Sequence, residues 1–150
     1  MTLTYFFMRK VIINLALMLM PMLAFANDDV VGTWYSDKKA GIVDVTIEDG
    51  ICRGKLIWLA EPNDKNGQPY KDGLNKDKSL RDRDVLGIYI FDGLKKEGNE
   101  WKGGKVYDPE SGNTYNCVLK AVDGKLHVRG FVGPFGKTLK WDPAPRPENL

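Results

Sequence analysis

The side chains of this 150-residue chain that could do chemistry are thinly spread, and their spacing limits what they can do. Between Ala60 and Asp84 lie Asp64, Asn66, Asp72, Asn75 and Asp77, oxygen donors of the kind calcium takes. In Asp64-Lys65-Asn66-Gly67, however, the glycine arrives too early for an EF-hand loop, and no Glu follows at the twelfth position. Asp72 and Asp108 could hydrolyse a glycoside as an acid-base pair only with their carboxyl groups about 5 to 9 Å apart. Asp108-Pro109-Glu110-Ser111-Gly112 is already explained as a turn, with Pro and Gly at turn positions and side chains that cap local amides. His127, the single histidine, alternates with Lys125 and Arg129 on a water-facing side, and with Cys52 and Cys117 it makes no zinc set. Gly133 and Gly136 flank Pro134-Phe135 in a turn between strands and open no helix, so no loop cradles phosphate. No catalytic residue, metal or cofactor is expected, and the chain does not read as an enzyme.

The remaining candidates are aromatic. Trp58, Tyr89, Tyr107, Tyr115 and Phe135 suit the lining of a site for an apolar or amphipathic molecule, provided the elements carrying them bring them together. No segment keeps a 3.6-residue apolar period over three turns, whereas short alternating runs bounded by turn residues recur. The clearest is Val43-Asp44-Val45-Thr46-Ile47-Glu48, followed by the hairpin signal Asp49-Gly50. Strands are predicted at 32–37, 42–48, 51–59, 85–92, 100–107, 113–120, 125–131 and 137–141. The fold class is all-β, and eight successive strands predict an up-and-down antiparallel barrel, which leaves no open edge. The Pro-rich tail, 142–150, cannot continue a ladder and is expected to be mobile.

Connections in such a meander alternate between two ends. Asp49-Gly50 and Asp123-Gly124 make one end compact. The 25 residues from Ala60 to Asp84 exceed the usual limit of about 12 to 15 for a structureless connection and belong to the other end, the mouth, as a lid or a flap. The alternating charges of Lys76 to Asp84 read as a solvated face able to pin that loop. Trp34, Trp101 and Trp141 then lie low and plug the floor. Trp58, on the strand face of Cys52, Gly54 and Leu56, lies near the mouth. Cys52 and Cys117 both point inward from strands three apart. They form a disulfide if the barrel is flat enough to bring their Cα atoms within about 7 Å, and stay buried thiols if it is round.

Residues 1–26 read as a secretory signal, with Arg9 and Lys10, the apolar run Val11 to Leu19 and the cleavage site Ala24-Phe25-Ala26. Asn14 and Pro21 interrupt that run and Asn27-Asp28-Asp29 ends it, which argues against a membrane anchor. Met8 rivals Met1 as the start. Cleavage after Ala26 leaves one domain, 27–150, expected to be periplasmic or secreted. With 43% hydrophobic and 11% aromatic residues it can bury a core. Loss of Arg9 and Lys10 turns the formal charge of +2 into a balance of 20 bases and 20 acids, without the positive field that nucleic acid binding relies on.

Gly32-Thr33-Trp34, at the head of the first strand, resembles the Gly-x-Trp signature of the lipocalins, small barrels that carry apolar molecules. In lipocalins a base near the end of the last strand packs over that tryptophan; here Lys140 or Arg146 would have to serve. A longer series is similar to a bacterial family of secreted proteins, domain of unknown function 2147. It comprises Gly32-x-Trp34, Gly54-Lys55-Leu56-Ile57-Trp58-Leu59-x-x-Pro62, Asp72-Gly73-Leu74-Asn75, Leu80-Arg81-x-Arg83 and Leu86-Gly87. It continues with Trp101-x-Gly103-Gly104-x-Val106-Tyr107-Asp108-Pro109-x-Ser111-Gly112-x-Thr114-Tyr115, Val128-Arg129-Gly130-Phe131 and Trp141. The resemblance implies a lipocalin-like barrel outside the cytoplasm and supplies no catalytic residues. The expected partner is a small hydrophobic molecule or lipid held at the open end. The alternative is an envelope interaction protein with a packed barrel that binds a macromolecule through its mouth loops.

Overall fold

Asp49 and Asp123 take left-handed φ angles of 51°, and Gly50 and Gly124 follow at 76° and 73°, as two-residue type I′ hairpins demand. These turns belong to a computed structural model that describes residues 29–148; the expected leader lies outside the described residues. The strands are β1 (Gly32–Tyr35), β2 (Gly41–Glu48), β3 (Ile51–Leu59), β4 (Tyr89–Glu97), β5 (Glu100–Asp108), β6 (Asn113–Val122), β7 (Lys125–Val132) and β8 (Phe135–Trp141). They form one antiparallel up-and-down sheet in sequence order, curled into a barrel. The turns β2–β3, β4–β5 and β6–β7 share the compact end, and the long connection between β3 and β4 lies at the open one.

β8 does not pair with β1. The seam is closed instead by the residues after β8. Asp142 O accepts from Tyr35 N at 2.9 Å, Ala144 N donates to Thr33 O at 2.9 Å, and Thr33 Oγ1 donates to Ala144 O at 2.6 Å. Arg146 then grips both carboxylate oxygens of Asp44 at 2.8 Å. The tail expected to leave the sheet therefore completes it: Pro143 lacks an N–H, but its neighbours supply the bonds. Of the two bases, Lys140 and Arg146, that the lipocalin resemblance would place over Trp34, Arg146 is thus engaged by Asp44.

β4 begins four residues later than predicted and continues through Asp92-Gly93. Gly93, at φ 77°, is kept within the strand rather than ending it. The core is one cluster on the inner face. It includes Val43, Val45, Cys52, Leu56, Phe91, Leu94, Trp101, Leu119, Leu126, Val128 and Trp141. The Trp34 indole donates to Val30 O at 2.9 Å in the buried interior. Glycines make room for the largest groups: a Cβ on Gly54 would lie 2.2 Å from the Phe91 ring. Among the described residues no helix is long and apolar enough to cross a membrane.

Candidate functional site

Phe91 on β4 and Trp141 on β8 meet across the interior with ring centres 5.9 Å apart and form a floor. Alongside it, strand alternation places Val106, the partner of Phe91, together with Tyr115, Gly130, Leu139 and Lys137 on the inner face, since paired residues share a side. The register pairs Val106 with Tyr115, Val128 with Leu139, Gly130 with Lys137 and Val132 with Phe135. A Cβ on Gly130 would stand 3.9 Å from Val106 and 4.0 Å from Tyr115, so the inner faces of three strands converge there. Trp141 lies six positions beyond Phe135, about 20 Å along the strand at roughly 3.3 Å per residue. The result is a cup whose wall is half-buried at Val106, Tyr115, Gly130 and Leu139 and carries the exposed Lys137, with a rim formed by Val132 and Phe135, which are 65% and 80% exposed.

Of the five aromatic candidates, Tyr115 and Phe135 belong to this cup. Trp58 does not share the face of Leu56. A bulge shifts the register so that Val43 faces Leu56 but Ile42 faces Trp58, which sends the indole to the outer side. A second bulge in β4 pairs Tyr89 with Lys55, and the Arg53 guanidinium lies 5.9 Å from the Tyr89 ring, also outside. Tyr107 is engaged elsewhere. The inner positions Val106, Gly130, Val132 and Lys137 were missed by looking for aromatics, although extending the alternation of Leu126 and Val128 finds two of them.

Tyr107 donates its hydroxyl to Asp72, the buried carboxylate of the β3–β4 connection. Asp72 also accepts from Asn75 Nδ2 at 2.8 Å and from two nitrogens of Arg83 at 2.9 and 2.8 Å. Asn75 in turn accepts from Asp77 N and from Arg81 Nε, at 2.9 and 2.7 Å. Burial, then the bond to Asp72, pushes the Tyr107 hydroxyl up to about 12. The same connection packs Leu74 on the β5–β6 turn, where a Cβ on Gly112 would lie 1.9 Å from Leu74 O. The long connection is thus an ordered strap knotted to β5 by a saturated carboxylate.

The other oxygen donors are spent on turns. Asp64 caps the amides of Asn66 and Gln68, Asp77 caps Ser79, and Asp108 holds Glu110 N and Ser111 Oγ. Asp72 and Asp108, the two carboxylates considered as an acid-base pair, are thus each engaged by their own neighbours. Cys52 and Cys117 are buried thiols, not a disulfide. Leu94 lies opposite Cys52 and leans over Gly104, the partner of Cys117, so β4 and β5 lie between the two cysteine-bearing strands. Burial pushes the Cys117 thiol up to about 12. A depression of about 380 Å³ at the compact end is lined by Lys96, Trp101 and Lys120, among others, and opens away from the cup.

Among curated proteins none matches the chain in sequence. Among solved structures, the chain is similar to protein HP1028 of Helicobacter pylori, described as belonging to the lipocalin family. The TM-score is 0.65 at 23% identity, covering 77% of this chain and 82% of that one. That likeness shows a lipocalin-like fold. The sequence also matches the model of a family described as uncharacterized proteins conserved in bacteria, across residues 32–142, from the Gly-x-Trp motif to the strip that seals the seam. The chain belongs to that family, DUF2147.

Proposed function

We propose that the protein carries one small apolar or amphipathic molecule in the open end of its barrel, outside the cytoplasm, and is not an enzyme. One observation supports this above others: beyond the Phe91–Trp141 contact the inner face is half-covered and apolar at Val106, Tyr115 and Leu139, with Lys137 as its one charged side chain, up to the uncovered pair Val132 and Phe135. Exposed apolar surface of that kind marks a binding site more often than an ornament of a monomer. The saturation of Asp72 by its own neighbours favours binding over proton transfer. The leader read in residues 1–26 supports the compartment.

The test is extraction and mass analysis of protein purified from its native compartment, with titration of the neutral fluorophore N-phenyl-1-naphthylamine. Gly130 has room for a Cβ at ordinary contact distance, so Gly130→Leu is expected to fold and to fill the cup, abolishing uptake. Trp58→Ala and Tyr89→Ala, on the outer face, are expected to leave uptake unchanged. A wild-type protein that yields no co-purified molecule and takes up no fluorophore refutes the carrier and leaves the macromolecule-binding barrel.

A further inference from the structure

The β7–β8 hairpin has a charge unlike the rest of the domain. From Lys125 to Trp141 it carries Lys125, Arg129, Lys137 and Lys140, together with His127, and no acid, in a domain whose bases and acids balance. Its tip, Gly133-Pro134, is uncharged and flanked by Val132 and Phe135, the most exposed large apolar side chains among the described residues. The register sets these two side by side. Behind them, Lys137 forms no hydrogen bond or ion pair among the described residues. Arg129 is held on the other face, its guanidinium 5.1 Å from the Phe131 ring centre.

We propose that this hairpin docks on an anionic phospholipid bilayer, with Val132 and Phe135 entering the interface and Lys137 and Arg129 meeting lipid phosphates. An apolar tip with basic residues behind it is the pattern that interfacial binding rewards. Lys137 is two residues from Phe135 and Arg129 three from Val132, about 7 and 10 Å along the strands. Both stand within reach of a surface potential that decays over about 8 to 10 Å. Lys140 and Lys125, about 17 and 23 Å back, stand beyond it. An acidic protein or a polynucleotide would satisfy the bases but leave the paired apolar side chains in water, so the lipid surface is the better fit. Docking in this orientation would bring the rim of the cup to the membrane, yet the inference stands on the hairpin alone.

The test is co-sedimentation of the processed protein, its N-terminus read by mass spectrometry, with vesicles of phosphatidylcholine alone or mixed with phosphatidylglycerol. Wild type is expected to pellet with the anionic vesicles, less with neutral ones and less at high salt. Phe135→Ser is expected to lower partitioning to both by roughly tenfold. Lys137→Gln and Arg129→Gln should each lower it about fivefold on anionic vesicles only, while Lys140→Gln changes little. Melting curves of each variant show that it is folded. Naphthylamine uptake without vesicles reads the carrier proposal separately, so either can fail alone. The inference is overturned if wild type stays in solution with anionic vesicles, including when it binds heparin instead. Phe135→Ser pelleting like wild type, or Lys140→Gln losing as much as Lys137→Gln, overturns it equally.

Discussion

Asp72→Asn keeps the shape of a fully buried side chain while removing its charge and one of its two acceptor oxygens. Four donor atoms converge on the wild-type carboxylate, from Asn75, Tyr107 and twice from Arg83. In the variant an amide N–H₂ must face at least one of them. Removing one partner of a buried pair costs about 3 to 5 kcal/mol, the upper end when the surviving charge stays buried. The Arg83 side chain is 38% exposed and can return to water, so about 3 kcal/mol is expected. At roughly 4 °C per kcal/mol for a domain of this size, the melting temperature should fall by about 12 °C. The loss should be local first. Trypsin should cut at Lys71, Lys76, Lys78 and Arg81 in the variant well before it cuts the strands, whereas the wild-type strap resists. Arg83→Gln should behave similarly, and the double variant should cost less than the two singles together. If Asp72→Asn melts within about 2 °C of wild type and its strap resists trypsin equally, the carboxylate does not hold the strap and the reasoning fails.

Other consequences can be checked alongside it. Tyr107, at about 12 in the folded protein against 10.0 for an ordinary phenol, keeps its proton where the unfolded chain loses it. Its contribution to stability is therefore complete below pH 10 and lost as pH rises from 10 through about 12. Tyr107→Phe should remove that alkaline step from a plot of stability against pH. Cys117, with its thiolate suppressed by burial, should resist iodoacetamide at pH 8 in the native protein and react once denatured. Gly112→Ala places a Cβ against Leu74 O at a backbone φ of 69°, and denaturant melts should show a loss of at least about 1 kcal/mol.

What could be read from the sequence followed from local chemistry. The two Asp-Gly pairs set turns, and the alternation between them set strands, so an eight-stranded meander was legible. The faces of Trp58 and Tyr89 were not, because each lies next to a bulge, and one extra residue in a strand reverses which side the following side chain takes. Alternation cannot reveal an insertion that costs the pattern nothing. The role of Asp72 was also hidden. It was legible only as an oxygen donor of the long connection, because an acid that folds inward looks the same in sequence as its solvated neighbours, and its partners Arg83 and Tyr107 lie 11 and 35 residues away. The seam was missed for a different reason: prolines argue against a strand, but three residues need only their two non-proline neighbours to bond.

The bond from Thr33 to Ala144 spans 111 positions, and it sets a timetable for folding. On a chain made from its amino end, the first strand must wait with one side unzipped until every other strand has been synthesised. Early folding can build the hairpins one by one, but the cylinder latches last, at the high loop-closure cost of joining its two extremes. Shortening the chain by as few residues as follow Trp141 would therefore leave all eight strands present and the cylinder unlatched.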